Sequence, residues 1–260
     1  HTSLLGQDHG FNSIQECYKT AARHIFALEK GLSSDIEMNA MFPETKKYTL
    51  ISNSDAHSAT AQRIGREATV LSLEEPTYEK IFDAIKLRSK DFVGTIEVPP
   101  EYGKYHLSGH RYCGISEQPS RLSNGFCAKC GRKLTLGVLQ RILNISSLSN
   151  PSSLVTVQRS WKLLPLFELL SATYSTETAF NFSEKLYGAF GNEFNILLNV
   201  DLESLLKVVN EKVTNLIMKN RSGEITIIPG FDNTYGKIVV DSSSKEGVKS
   251  KGLIDIFGVT

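Results

Sequence analysis

The chain has 260 residues, 40% hydrophobic, 22% charged and 9% aromatic, with 29 Lys and Arg against 28 Asp and Glu for a net charge of +1. That length and balance fit one large or two ordinary globular domains with a substantial core, and no apolar run approaches the roughly 18 residues of a membrane span. Near-neutral charge speaks neither for nor against nucleic acid, so the local distribution must decide. Four cysteines, with Cys113, Cys127 and Cys130 close together, are too sparse for a disulfide scaffold and read as metal ligands first.

Residues 1–98 read as alternating helix and strand. The chain starts at His1, without Met or a charged-then-apolar leader, so no secretory signal is expected and the front reads as cut away or preceded by more protein. Ser13 followed by Glu16 has the spacing of a capping box and predicts a helix to about Arg23. Cys17 on that helix reads as a core residue. Ile25–Glu29 and Tyr48–Ser52 are strand candidates; a helix is expected over Tyr78–Ser89, with Ile81, Phe82 and Ile85 on one face, and a strand over Phe92–Ile96. Short apolar strands separated by helices predict a mainly parallel α/β sheet or barrel, which gathers ligands at the C-terminal ends of its strands.

Residues 99–137 change character. Between Glu101 and Arg141 lie seven Lys and Arg but two acids, a local excess of positive charge. His110-Arg-Tyr-Cys113-Gly114 and Cys127-Ala-Lys-Cys130-Gly131 share one spacing, two ligands three positions apart followed by Gly, so that both side chains of each turn can face one ion. Together they predict a closed Cys3His site suited to one structural Zn2+. His106 is an alternative fourth ligand, and the pseudo-symmetry favours His110. A stretch this short cannot hold itself by apolar burial, so the metal is expected to supply folding energy. Arg111, Lys129, Arg132 and Lys133 surround the knuckles as candidate phosphate contacts, with a merely solvated surface as the alternative.

Residues 138–240 read as a mostly helical region ending in a short hairpin. The clearest helix starts at the N-cap Asp201, carries Leu202, Leu205, Leu206, Val209, Val213, Leu216 and Ile217, and stops at Arg221-Ser222-Gly223. Strands are expected at Glu224–Ile228 and Lys237–Val240. Residues 241–260 form a Ser/Lys/Gly-rich tail, expected to be disordered, closing on the apolar cluster Leu253-Ile254-Asp255-Ile256-Phe257.

The candidate chemical centre is Ser52-Asn53-Ser54-Asp55-Ala56-His57, directly after an apolar strand. Asp and His two apart in extended chain project to the same side and can share one divalent ion. Glu29 ends an earlier strand and can reach the same pole, or it is an ordinary exposed strand-end acid; His1 and His9 lie in the loop region before it. Such a cluster suits Zn, Mn or Fe and hydrolysis by activated water.

The run Ala27-Leu28-Glu29-Lys30-Gly31-Leu32-Ser33-Ser34-Asp35, then Tyr48 to Ser58, then Gly65-Arg66-Glu67-Ala68, resembles the second half of a PHP (polymerase and histidinol phosphatase) domain. With Gly94-Thr95-Ile96-Glu97, Gly103-Lys104-Tyr105-His106, Gly109-His110-Arg111, the two knuckles, Pro229-Gly230-Phe231-Asp232-Asn233 and Tyr235-Gly236-Lys237, the chain resembles the endonuclease Q family, in one order over nearly its whole length. The resemblance implies an α/β fold: the C-terminal part of a PHP-type β/α barrel (1–98), a small zinc-binding module (99–137) and a helical C-terminal region. It implies a DNA repair endonuclease, cytoplasmic and nucleoid-associated, that nicks the phosphodiester 5′ of hypoxanthine, uracil, xanthine or an abasic site in double- or single-stranded DNA. Asp55 and His57 match the last PHP metal-ligand motif, Glu29 the strand-end Glu, and His1 the His-rich mid-barrel segment, with Zn2+, Mn2+ or Mg2+ as the ions. Asp55 would bridge or orient the attacking water and His57 would serve as a neutral imidazole ligand. The damaged base would leave the stack to be read, with Arg66 holding the backbone and Asn53 and Ser54 either touching phosphate or shaping the turn. The chain has no His-x-His, with which PHP domains open, so several ligands are expected upstream of it.

The tail is similar to bacterial clamp-binding peptides, with Ile254, Asp255, Ile256 and Phe257 docking on the replication sliding clamp; a last strand packed on the body is the alternative. A small-molecule phosphoesterase of the histidinol-phosphatase kind would share the metal pole but has no use for a basic zinc module. A non-catalytic DNA-binding scaffold would need only that module.

Overall fold

The computed structural model describes Leu5 and residues 10–59, 63–119, 124–146 and 158–239. Helix α1 (Ile14–Tyr18) is capped by Ser13, whose Oγ accepts from the Glu16 N–H at 2.9 Å. The reciprocal half of the expected capping box is shifted by one residue, because Glu16 accepts from the N–H of Asn12 at 2.7 Å. Lys19, at φ 49°, ends the α-helix five residues before the expected stop, and 3-10 turns carry the chain on to His24.

Strand β1 (Ala27–Glu29) runs parallel to β2 (Thr49–Ile51), with Glu29 opposite Ile51. Between them lies α2 (Ile36–Ala40), capped by Asp35, which accepts from the Met38 N–H at 2.6 Å. Then follow β3 (Ala68–Leu71), α3 (Tyr78–Leu87) and β4 (Phe92–Glu97). Strand β3, absent from the sequence reading, pairs antiparallel with β4, so this sheet is mixed where a mainly parallel one was expected. On α3 it is Ala84 that is buried, while Phe82 is 37% exposed against the expected inward face. Next come β5 (Ser108–His110), β6 (Ile115–Glu117) and α4 (Val138–Ser146). Strand β7 (Ser160–Lys162), within the stretch expected to be helical, pairs parallel with β4. Among the described residues the strands form four sheets of two or three strands and do not close a barrel.

Five helices follow: α5 (Leu166–Ser171), α6 (Thr176–Phe190), α7 (Glu193–Leu198), α8 (Leu202–Val208) and α9 (Glu211–Arg221). The single helix expected from Asp201 is two. Asp201 caps α8 as expected, but Asn210 accepts from the Val213 N–H at 2.9 Å and starts α9, competing as a second cap where the pattern of leucines and valines runs on. The β3–β4–β7 sheet and these helices share the main core, in which Leu166, Leu170, Leu186, Ile196, Leu205, Val213 and Ile217 are fully buried. The chain closes with the antiparallel pair β8 (Thr226–Ile228) and β9 (Lys237–Val239). No helix among the described residues is long and apolar enough to cross a membrane.

Charge is also buried here. Asp35 is 2% exposed and its carboxylate lies 2.8 Å from Lys162 Nζ. Glu97, fully buried at the end of β4, accepts from Thr95 Oγ1 at 2.5 Å and from the Ile36 N–H at 3.3 Å. Burial pushes its carboxyl up to about 7, outweighing the opposing pull of Lys30 and the Thr95 hydroxyl. A carboxyl raised in the folded state binds more protons folded than unfolded, so its contribution to stability falls as pH rises from the unfolded value toward 7. The full shift corresponds to about 3 kcal/mol. Urea unfolding at pH 5 and pH 8 is therefore expected to show a loss with rising pH that Glu97→Gln flattens; an equally steep loss in the variant would assign it to other groups.

Candidate functional site

The parallel pairing of β1 and β2 brings their C-terminal ends to one edge, so Glu29 and the loop from Ser52 leave the sheet side by side. Glu29 is exposed there, and its carboxylate accepts from Asn53 Nδ2 at 2.5 Å and from the N–H groups of Asn53 and Gly31, each at 3.3 Å. The extended geometry expected for Asp55 and His57 is not formed. The strand stops at Ile51, and Asp55 takes φ 47°, a left-handed turn that Asp tolerates better than most side chains. Arg66 fixes this turn, donating through Nε to the Ser54 carbonyl at 2.8 Å and through Nη2 to that of Asp55 at 3.4 Å. Ser54 Oγ donates to the Glu67 carbonyl and accepts from the Gly65 N–H. Ser54 thus has a turn-shaping role, Asn53 holds Glu29, and Arg66, read as a backbone contact for nucleic acid, spends at least two N–H groups inside the protein.

His57 Nδ1 lies 2.9 Å from the Asp55 carbonyl. A carbonyl only accepts, so Nδ1 is the donor in this contact. Glu29, Asp55 and His57 are not gathered around one point; among the described residues a single other group of side chains stands close enough to share an ion. His1 and His9 lie outside the described residues.

Behind this edge sits a constellation that sequence reasoning missed. Lys30 Nζ and Glu67 Oε2 are 2.8 Å apart with both side chains wholly buried. Glu67 also accepts from Ser52 Oγ at 2.6 Å and from the Val98 N–H at 3.1 Å, and Lys30 donates to the carbonyls of Gly31 and Ser34 at 3.0 Å. The pair ties the residue after Glu29 to the first residue of the Asp-Ala-His loop.

Beside the same edge a cleft opens past the ends of β1, β4 and β7, where Leu32, Val98 and Pro165 line it together with Arg63, Arg66, Tyr102, Glu168 and Tyr235. The Arg63 guanidinium carbon lies 5.8 Å and Lys104 Nζ 4.7 Å from the centre of the Tyr235 ring. Burial raises the Glu168 carboxyl, against the Tyr102 hydroxyl and the two arginines. The position, outside the C-terminal ends of parallel strands, is where α/β folds place ligands.

The second centre is assembled as the spacing predicted. The ligand atoms of His110, Cys113, Cys127 and Cys130 all lie within 4.8 Å of one another, with His110 Nδ1 3.4 Å from Cys130 Sγ. Tetrahedral donors around a zinc-sized ion stand roughly 3.5 Å apart, so the set fits such an ion. Gly114 and Gly131, at φ 64° and 69°, supply the turns that let the knuckles curl. Burial works against the Cys127 thiolate, but the N–H groups of Lys129 and Cys130 and the His110 ring outweigh it and bring the thiol down to about 6. Cys113 is pushed up to about 11 by burial and by its two thiol neighbours. His106 is not part of the group: it is buried, and its Nδ1 has no hydrogen-bond partner among the described residues. Cys17 is half-buried and stands apart from the group.

Arg111, Lys129, Arg132 and Lys133 are all exposed around this centre. The Pro229–Asn233 turn braces it: Asp232 accepts from the Arg111 N–H at 2.7 Å and from Thr135 Oγ1 at 2.6 Å, and Asn233 donates through its N–H to the Lys104 carbonyl. A side chain at Gly230 would put its Cβ 2.3 Å from the Gly103 carbonyl oxygen, so only Gly allows this approach. Ile254, Asp255, Ile256 and Phe257 lie outside the described residues.

No family model matches the chain. It is 31% identical over 258 residues to an uncharacterized protein of Methanocaldococcus jannaschii, covering 94% of this chain and 32% of the relative. It is also 31% identical over 242 residues to the uncharacterized protein YqxK of Bacillus subtilis, covering 92% and 58%. The chain thus spans less than two thirds of either relative. Among solved structures it is similar to the lesion-specific endonuclease PfuEndoQ from Pyrococcus furiosus, at TM-score 0.81 and 27% identity, over 100% of this chain and 64% of that one. It is likewise similar to endonuclease Q in complex with a 27-mer duplex substrate carrying an abasic lesion at the active site, at TM-score 0.79 and 27% identity, over 92% and 62%.

Proposed function

We propose that the chain, similar over 100% and 92% of its length to two endonuclease Q structures, belongs to the endonuclease Q family and is part of a metal-dependent DNA repair endonuclease that nicks 5′ of abasic sites and of deaminated bases, namely hypoxanthine, uracil and xanthine. The observation that carries this reading is the convergence of Glu29 and the Asp55–His57 loop at one strand edge, beside a cleft with two arginines and two tyrosines, in a chain that matches a lesion-specific endonuclease along its whole length. In this reading residues 1–98 are the C-terminal part of a PHP barrel, 99–137 a zinc module, 138–240 a helical domain with a hairpin, and 241–260 a tail that takes the sliding clamp through Ile254, Asp255, Ile256 and Phe257.

Glu29, Asp55, His57 and His1 would hold the divalent ions, which would supply Lewis-acid stabilisation of the charge on the phosphate and leaving oxygen. Asp55 accepts a proton from the attacking water and orients it. Arg66 keeps the Asp55 turn in its left-handed form, and the buried Lys30–Glu67 pair fixes both ends of the ligand set. The cleft receives the nucleotide, its apolar walls excluding water and Arg63 meeting phosphate. Arg111, Lys129, Arg132 and Lys133 hold the backbone further along, and Zn2+ closes the Cys3His cluster. Among the described residues the single group assembled is that cluster, which favours a non-catalytic DNA-binding module as the second reading.

The test uses the protein in its full natural length with Mn2+ or Mg2+, on labelled duplexes carrying one deoxyinosine, one deoxyuridine, one abasic site or no lesion. A nick 5′ of the lesion and none on the undamaged duplex is the expected result. No nick on any duplex, from folded and metal-loaded protein, would overturn the endonuclease and leave the binding module or a small-molecule phosphoesterase.

A further inference from the structure

Tyr112 and Phe126 each stand one residue before a cysteine of the metal group, Tyr112 inside the first knuckle and Phe126 just before the second. Both rings are kept out of the core: Tyr112 is 76% and Phe126 54% exposed. Tyr112 carries a cation. The Arg111 guanidinium carbon lies 4.8 Å from the centre of the Tyr112 ring, and Arg111 Nη2 donates to the Tyr112 hydroxyl at 2.8 Å. Phe126 pairs with Lys133 across an antiparallel bridge, so the two side chains leave the backbone on the same face. Arg111, Lys129, Arg132 and Lys133 form no ion pair with an acid among the described residues. The Tyr112 ring also rests edge-on against the His110 ring, 5.8 Å between centres, so the metal ligand fixes its orientation.

Exposed rings side by side with unneutralised cations match a single nucleic-acid strand: flat bases with apolar faces, joined by phosphates. Stacking on aromatics is tolerant of base identity, and the cations follow the backbone. We infer that the two knuckles form a stacking platform for unpaired bases of single-stranded DNA, with Tyr112 and Phe126 taking base faces and Arg111, Lys129, Arg132 and Lys133 taking phosphates. The inference rests on the nucleic-acid part of the reading above and not on its chemistry; a chain that binds unpaired strand but nicks nothing keeps the platform and loses the endonuclease.

The test measures binding of the metal-loaded chain to a fluorescein-labelled oligo-dT of about twelve nucleotides and to a fully paired duplex of the same length, over a series of salt concentrations, with metal content assayed in parallel. Replacing both rings, Tyr112→Ala with Phe126→Ala, is expected to weaken single-strand binding about tenfold or more, to change duplex binding little, and to leave the slope against log salt unaltered, since no charge is removed. Tyr112→Phe is expected to keep full affinity. A double variant that retains its metal and binds the single strand as the unaltered chain does would overturn the platform. Should the double variant lose its metal, photocrosslinking of the unaltered chain to a strand carrying iodouracil decides: crosslinks at Tyr112 or Phe126 support the platform, and crosslinks confined to other residues overturn it.

Discussion

Stripping the metal from the His110, Cys113, Cys127 and Cys130 cluster is expected to unfold the segment from about residue 109 to 135 while the helices from Leu166 to Arg221 stay folded. Between Arg111 and Lys133 the buried residue among those described is Cys127, itself a ligand. With no apolar interior there, the segment is held by the ion, by the short β5–β6 ladder and by the Asp232 braces. Structural zinc supplies about 10–16 kcal/mol in small modules, more than such braces can replace. The helical core lies elsewhere and contains no ligand. Cys127→Ser should mimic chelation, because a hydroxyl is a poor substitute for the thiolate and this thiol is the one that neighbouring N–H groups draw toward ionisation. Hydrogen exchange read by segment, with and without a chelator, checks this. Protection at Gly109, Cys127 and Thr135 should vanish while that of α6 and α9 persists; unchanged protection near Cys127 would show that the module folds without its ion.

What could be read from the sequence was local. Ser13 and Asp201 as N-caps and the two turns His110-x-x-Cys113 and Cys127-x-x-Cys130 act within three or four residues, and each is found in the structure, apart from the reciprocal half of the Ser13 capping box. The failures are places where a distant partner or a competing local bond decides. Strand β7 exists because β4 offers it a parallel edge more than 60 positions earlier in the chain, and nothing in Ser160–Lys162 announces that. Asn210 breaks a continuous apolar stripe with one side-chain cap, which a pattern of leucines and valines conceals. At the candidate site the residue types were legible and the geometry was not. Asp55 and His57 follow a strand as expected, but Arg66 draws the loop into a left-handed turn through carbonyl contacts that no spacing rule contains. The buried Lys30–Glu67 pair was invisible because its partners lie 37 residues apart.

That pair gives the second large effect: Lys30→Met is expected to cost about 3–5 kcal/mol, the toll of leaving one member of a buried ion pair uncompensated. Glu67 would keep the Ser52 hydroxyl and the Val98 N–H but lose the ammonium at 2.8 Å. Burial already raises the Glu67 carboxyl, with Lys30 the first of the groups opposing that rise. Removing Lys30 raises it further, so the variant's Glu67 should escape the penalty by taking a proton. A carboxyl raised above its unfolded value stabilises least at high pH, so the deficit of Lys30→Met relative to the unaltered chain should be small near pH 5 and grow toward pH 8. Adding Glu67→Gln removes the charge and should restore much of the stability at pH 8, although the Gln amide cannot accept from both Ser52 and Val98 through its nitrogen. Urea unfolding of the single and double variants at both pH values measures the coupling. A single variant equally destabilised at pH 5 and pH 8, with no recovery in the double, would mean that Lys30 acts through its bonds to the Gly31 and Ser34 carbonyls rather than through Glu67. The same result would sever the proposed link between the buried pair and the ends of the ligand loop, since Ser52 reaches that pair through the Glu67 carboxylate alone.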